Sequence, residues 1–163
     1  MDAEWASLRA MKTWEEDKVR EWSDVREEAR RTGTRKHVGM VFGICVEKSS
    51  ELPRGDPSRK FKRRCVFRGN AVRDEDHYAA VFQDLGSSPA SMSAAKIADL
   101  IGLPGCCTML ADAIRAYCPA LLVGVPTWVR LPCDRWPAAW NKMHDPVVPL
   151  RLALYGHPDA GTC

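Results

Sequence analysis

A run of basic residues in the first half of the chain has the composition of a phosphate-binding surface. Phe61 and Phe67 interrupt it. The seven cations are Arg59, Lys60, Lys62, Arg63, Arg64, Arg68 and Arg73. Guanidinium and ammonium groups are the side chains that bind phosphate oxygens. Alternation along a strand would place Lys62, Arg64 and, past the strand end, Arg68 on one side. The alternative is a solvated edge strand whose charges prevent aggregation.

Asp112 is a candidate ligand for a divalent cation. It follows the apolar run 106–111, which predicts a buried strand. Hard oxygen ligands suit Mg²⁺, which commonly shares its coordination shell with substrate phosphates. The alternative for an isolated Asp is a turn or a helix cap. The four histidines lack the spacing of metal ligands, and the sequence contains no Cys-x-x-Cys pair, no P-loop and no dinucleotide-binding glycine motif.

The elements that must position these side chains follow from the hydrophobic pattern. Apolar residues recurring every three and four positions predict a helix over 15–31, stopped by Gly33. Two runs rich in β-formers, 38–46 and 62–67, flank a polar loop with Pro and Gly and predict a two-stranded ribbon. Further predictions are a short helix from Ser91 or Ser93 to Leu103, a strand over 106–111 and a strand over 127–131. The mixed order of elements predicts an α+β fold.

Length and composition limit the class of protein. The chain has 163 residues, 45% hydrophobic and 28% charged, which is typical of one globular domain. No apolar run is long enough to cross a bilayer, so we expect no membrane partner. The N-terminus lacks the pattern of a signal peptide, and the seven cysteines are an odd number. We therefore expect an intracellular protein, cytoplasmic or nuclear, with reduced thiols.

Five short motifs give the chain a likeness to a known family. In order they are Lys62–Asn70, Tyr78–Phe82 running on to Pro89, Leu110–Tyr117, Thr127–Pro132 and Leu152–Gly156. In this order and at these spacings they resemble the N-terminal part of a copia-type retrotransposon reverse transcriptase. The resemblance covers roughly Val38 to the C-terminus. It implies partial fingers and palm subdomains, with a basic β-ribbon and an incomplete antiparallel palm sheet.

The activity that the resemblance implies is template-directed nucleotidyl transfer by an RNA-directed DNA polymerase. Asp112 matches a catalytic, metal-binding Asp of the palm, where Mg²⁺ ions activate the attacking 3′-oxygen and stabilise the leaving pyrophosphate. The implied partners are an RNA or DNA template-primer and a deoxynucleoside triphosphate.

The resemblance also assigns residues to the nucleotide and the template. Those assigned to the nucleotide are Tyr117, Ile114, Arg115, Ala116, Lys62 and Arg64. Those assigned to the template are Arg68, Tyr155 and Gly156. The ring of Tyr117 would lie under the deoxyribose and leave no space for a 2′-hydroxyl. Gly156 would permit close backbone approach.

The sequence departs from the family pattern near its end. The family has a later aromatic-x-Asp-Asp hairpin, and no adjacent acidic pair follows Tyr155-Gly156 up to Cys163. His157-Pro158-Asp159 replaces the usual hydrophobic-Lys-Gln. We therefore expect residues 37–163 to form a partial polymerase domain, after a helical extension over 1–36, that does not polymerise alone. A palm sheet without that hairpin is also expected to self-associate through an exposed edge.

Two other interpretations remain open at this point. The chain could be a non-catalytic nucleic-acid-binding module that uses the basic ribbon to contact phosphates. It could also be an unrelated α+β domain in which the motifs occur by chance.

Overall fold

The computed structural model describes residues 2–82, 93, 96–97 and 120–161. Two helices and five strands are present in these ranges. They are α1 Asp2–Ala10, β1 Arg20–Glu21, α2 Trp22–Thr32, β2 His37–Lys48, β3 Lys60–Phe67, β4 Thr127–Arg130 and β5 Pro146–Pro149. The strands form one sheet in the order β1-β5-β4-β2-β3. This mixed content confirms the α+β class.

The sheet is mixed, whereas the resemblance implies an incomplete antiparallel palm sheet. β2 pairs with β4 in parallel, with His37 opposite Thr127. The other three pairings, β1 with β5, β5 with β4 and β2 with β3, are antiparallel. A parallel pair needs a long crossover connection, and the chain between Phe67 and Thr127 supplies it.

The predicted ribbon is confirmed and is longer than the sequence pattern indicated. β2 and β3 pair over eight positions, from Val41 opposite Phe67 to Lys48 opposite Lys60. β3 lies at the edge of the described sheet. Its distal half extends beyond the core, because its buried residues come only from Cys65 onward.

The predicted helix over 15–31 begins later than expected. A 3₁₀ turn spans Glu16–Lys18, and Arg20–Glu21 pairs with β5 as β1 before α2 begins at Trp22. The Trp22 N–H donates to the carbonyl of Asp145 at 3.0 Å, so tertiary pairing overrides the helical pattern here. The end of the helix is as predicted, because Gly33 adopts φ +66° as a left-handed cap.

The sheet has one helix on each face. On one face, α1 contributes Trp5 and Leu8 to a cluster with Val41, Cys65 and Phe67. On the other face, α2 contributes its own apolar residues to a second cluster. Its members are Trp22, Val25, Val38, Val147 and the partly buried Trp128. The segment predicted as an N-terminal extension, 1–36, therefore supplies one edge strand and both helices that cover the sheet.

Two predicted strands and one predicted helix remain to be compared with the structure. The strand over 127–131 is confirmed as β4, which ends at Arg130. The strand over 106–111 lies outside the described residues, and so does most of the helix predicted to end at Leu103, of which Ser93, Lys96 and Ile97 are described and helical. Neither α1 nor α2 has the length and apolar character needed to span a bilayer.

Candidate functional site

The β2–β3 ribbon presents a column of cations on its α2 side. Lys60, Lys62 and Arg64 alternate along β3 on this face, and all three are exposed. We call these three residues the cation column. They form no ion pair within the described part of the chain. The prediction that Lys62 and Arg64 share one side is confirmed, and both side chains are exposed to solvent.

Arg59 of the basic stretch has a structural role instead. Its guanidinium binds Glu47 through two hydrogen bonds of 2.9 Å and also donates to the carbonyl of Leu52. The hydrogen bond from Arg59 holds the pKa of the Glu47 carboxyl below its usual value. This ion pair joins β2 to the chain entering β3. Arg59 therefore stabilises the hairpin and is not available to bind a ligand.

The remaining cations of this stretch differ in position. Arg63 is exposed on the opposite face of the ribbon, across from Cys45. Arg68 is exposed just past the end of β3, where its N–H donates to the carbonyl of Met40 at 2.8 Å. Phe67, adjacent in sequence, is buried in the core, whereas Phe61 is exposed. The basic stretch therefore contains one coherent column and several separate charges.

The turn at Tyr155 and Gly156 lies against the end of the ribbon. The Arg64 guanidinium lies over the Tyr155 ring, 5.6 Å from its centroid, which is a cation–π contact. The Phe67 N–H donates to the carbonyl of Tyr155 at 2.7 Å. Two segments distant in sequence, assigned by the resemblance to the nucleotide and the template, thus meet beside the cation column.

Gly156 lies close to the backbone of another segment of the same chain, at Phe67. Its φ is +88°, and a Cβ at this position would lie 2.2 Å from the carbonyl oxygen of Phe67. A Cβ on Gly69 would in turn lie 2.1 Å from the carbonyl oxygen of Gly156. The two glycines let the turn dock against the chain leaving β3.

Two buried histidines lie around Phe82, and one of them, His157, directly follows this turn. The sequence pattern indicated neither of them. His37 and His157 are 2% and 4% exposed. The His157 ring contacts Phe67 and Phe82, with centroids 4.7 and 5.6 Å apart, and Phe82 also contacts His37. The group borders a cavity of about 640 Å³ whose lining includes His37, Phe82 and Asp159. Their spacing in sequence gave no signal, because only the fold brings them together.

The hydrogen bonds of His157 fix its neutral tautomer. Nδ1 accepts from the Asp159 N–H at 3.1 Å, so the ring proton resides on Nε2. Nε2 then donates to Oγ1 of Thr127 at 3.2 Å, and that hydroxyl donates to the carbonyl of Val125. Burial, with the nearby His37 as a second cause, lowers the pKa of His157 to about 4. Burial also lowers the pKa of His37.

The predicted metal ligand and four of the six residues assigned to the nucleotide lie outside the described part of the chain. Asp112, Ile114, Arg115, Ala116 and Tyr117 all lie outside the described residues. Within residues 2–82, 93, 96–97 and 120–161, no group of three His, Cys, Asp or Glu side chains could hold a metal ion. The structure therefore describes only the part of the predicted site that would contact phosphates and template.

The chain matches no family model, no curated protein and no solved structure. The candidate site consequently rests on its own geometry: a cation column, the ring of Tyr155 beside it, and a turn held by two glycines and a buried histidine. Such a surface can bind a phosphate backbone through charge and place one aromatic ring near a base or sugar.

Proposed function

We propose that the chain is a fingers-and-palm portion of an RNA-directed DNA polymerase of the copia retrotransposon type, and that the cation column contacts the phosphates of its template or nucleotide. The observation that supports this most is the contact between Arg64 and Tyr155. The resemblance assigns Arg64 to the nucleotide and Tyr155 to the template, and the two residues belong to its first and last motifs. A chance match of short motifs would not require them to be adjacent.

The chemistry of this proposal rests on Asp112. It would contribute a carboxylate ligand to Mg²⁺, which in such a site stabilises charge on the attacking and leaving oxygens. Lys62 and Arg64 would neutralise phosphate oxygens next to that site, and Tyr155 would limit where the bound strand can lie. Because one carboxylate cannot hold two ions, further acidic residues encoded beyond Cys163 belong to the same proposal.

We expect the double variant Lys62→Gln/Arg64→Gln to lose part of its salt-dependent affinity for single-stranded oligonucleotides. Each phosphate contact on a single strand contributes about 0.7 to the slope of log K against log salt concentration, so the slope should become shallower by about 1.4. Fluorescence anisotropy from 50 to 300 mM salt measures it. The matched control is Arg31→Gln/Lys142→Gln, which removes one Arg and one Lys from exposed positions away from the ribbon. Equal slopes in both double variants would contradict the phosphate assignment.

Primer extension tests the polymerase itself. We expect a chain lengthened by the downstream coding sequence to contain an aromatic-x-Asp-Asp motif and to extend a primer with deoxynucleotides and Mg²⁺. Asp112→Ala should reduce extension at least 1,000-fold, because the variant loses a metal ligand that acts in the transition state. The control Asp134→Ala removes an exposed carboxylate of the 3₁₀ turn Cys133–Arg135 and should retain activity. Extension that persists in Asp112→Ala would exclude this mechanism.

A second candidate is a nucleic-acid-binding module without catalysis. The observation favouring it is that the described residues carry an exposed cation column but no group of three potential metal ligands. This module would bind oligonucleotides through Lys62 and Arg64, and its affinity would not depend on Mg²⁺ or on Asp112. An affinity unchanged in Asp112→Ala, together with no extension by the lengthened chain, would favour this candidate.

A further inference from the structure

The ribbon face that carries the cation column also carries an apolar column, which phosphate binding does not use. The partly buried Phe42 lies between Met40 and Ile44 on this face of β2. Met40, Ile44 and Val46 lie beside it, next to Arg64 and Lys62. They are 44%, 37% and 55% exposed. We call these three residues the aliphatic column. Val46 lies opposite Lys62 and Ile44 lies opposite Arg64, so apolar and basic side chains form two parallel rows one strand apart.

The aliphatic column continues a face that the protein already covers with a helix. Val38, on the same strand and the same face, is buried beneath α2 with Trp22. Arg130, opposite Met40, lies over the Trp22 ring and binds Asp145 through two hydrogen bonds of 2.6 and 2.7 Å. Beyond this point Met40, Ile44 and Val46 are exposed.

We propose that this face of the ribbon is a docking surface for an acidic amphipathic helix of a partner protein. The helix would place its apolar side chains on the aliphatic column and its carboxylates against the cation column. From Met40 to Val46 the column extends about 20 Å, which a helix of about 14 residues matches. The two strands contribute basic but no acidic side chains to this face. A complementary partner must therefore carry negative charge.

Two other occupants fit the surface less well. A nucleic acid would use the cation column and the Tyr155 ring beside it, but it would leave the exposed Met40, Ile44 and Val46 without an apolar partner. Three partly exposed side chains offer on the order of 200–300 Å². A second copy of the chain would need about 800 Å² on each partner for a stable interface. A short helix needs less buried area than a second copy of the chain. Its acidic side chains can also form ion pairs with the cation column.

The test uses the full chain and three labelled peptides of about 14 residues, with affinities measured by fluorescence anisotropy. The first peptide has leucines on one helical face and glutamates along its flank. The second has the same composition in scrambled order, and the third has lysines in place of the glutamates. We expect the first peptide to bind at least tenfold more tightly than the other two. Equal binding of the first and scrambled peptides would overturn the proposal.

Variants locate the peptide on the ribbon. We expect Ile44→Thr/Val46→Thr, which keeps β-branched side chains, to weaken peptide binding about tenfold while oligonucleotide affinity stays within twofold. The control Phe61→Thr changes an exposed side chain on the opposite face and should leave peptide binding unchanged. If Ile44→Thr/Val46→Thr weakens oligonucleotide binding as much as peptide binding, the aliphatic column belongs to the nucleic-acid surface and the helix proposal fails.

This inference stands independently of the proposed function. Peptide binding is measured without nucleic acid, whereas the salt dependence of oligonucleotide binding tests the phosphate contacts. Because both ligands would use Lys62 and Arg64, we expect the acidic peptide and an oligonucleotide to compete. Simultaneous binding of both, in a protein whose oligonucleotide binding depends on Lys62 and Arg64, would place the peptide elsewhere and overturn the proposal.

Discussion

Lowering the pH from 7 to 4.5 is expected to destabilise the fold by a few kcal/mol through the two buried histidines. The unfolded chain protonates His157 near pH 6.5, whereas the folded chain protonates it near pH 4. Between these values the unfolded state binds more protons, so the free energy of unfolding falls as the pH falls. The shift for His157 corresponds to about 3 kcal/mol, fully present above pH 6.5 and lost by pH 4. His37 acts in the same direction, because its pKa is also lowered.

The groups around these rings explain why a proton is unfavourable there. Protonated Nδ1 of His157 would point its hydrogen at the Asp159 N–H, so one hydrogen bond would become a contact between two donors. Arg35 also lowers the pKa of His37, whereas the carboxylates of Asp74, Glu75 and Asp159 raise it by less than burial lowers it. The charged forms have no compensating partner strong enough to reverse the effect of burial.

Urea unfolding at a series of pH values measures this effect. His157→Phe keeps a ring between Phe67 and Phe82 but cannot titrate, so its stability should change less between pH 6.5 and 4.5 than that of the wild type. The control His144→Asn removes an exposed histidine and should retain the full pH dependence. A wild-type unfolding free energy that stays constant between pH 7 and 5 would contradict the assignment.

The ribbon could be predicted from sequence because its signals are local. Runs of β-formers on either side of a polar loop specify a hairpin, and alternation then assigns Lys62 and Arg64 to one face. The glycine cap at Gly33 is equally local, since it needs only a left-handed residue at a helix end. The structure adds that Arg59 is occupied by Glu47, which no strand pattern reveals because the two residues pair across the hairpin.

Features that depend on distant pairing could not be predicted. The start of α2 is decided by β1 pairing with β5, and the parallel pairing of β2 with β4 depends on a long connection. The support of the Tyr155 turn is also nonlocal, because His157 forms a hydrogen bond with Thr127 of β4. The resemblance pointed to Tyr155 and Gly156 for the template, but not to the histidine that follows them.

Replacing Gly156 with alanine is expected to cost about 3 kcal/mol or more of folding free energy. At φ +88° any side chain is strained, and the new Cβ would meet the Phe67 carbonyl oxygen at 2.2 Å, where backbone must move. Gly55→Ala is the matched control: its φ is +95°, but nothing lies within 4 Å of the added Cβ. It should therefore show only the cost of the left-handed backbone, about 1–2 kcal/mol.

The same pair of variants tests whether the turn belongs to the nucleic-acid surface. If Gly156→Ala displaces the turn, the Tyr155 ring leaves Arg64, and oligonucleotide affinity should fall about five- to tenfold at a temperature where the variant remains folded. Gly55→Ala, in the loop between β2 and β3, should bind with wild-type affinity. Urea unfolding and anisotropy on the same samples separate the two effects. A Gly156→Ala protein that is destabilised yet binds normally would show that the turn supports the fold without contributing to binding, and the phosphate contacts would then rest on the cation column alone.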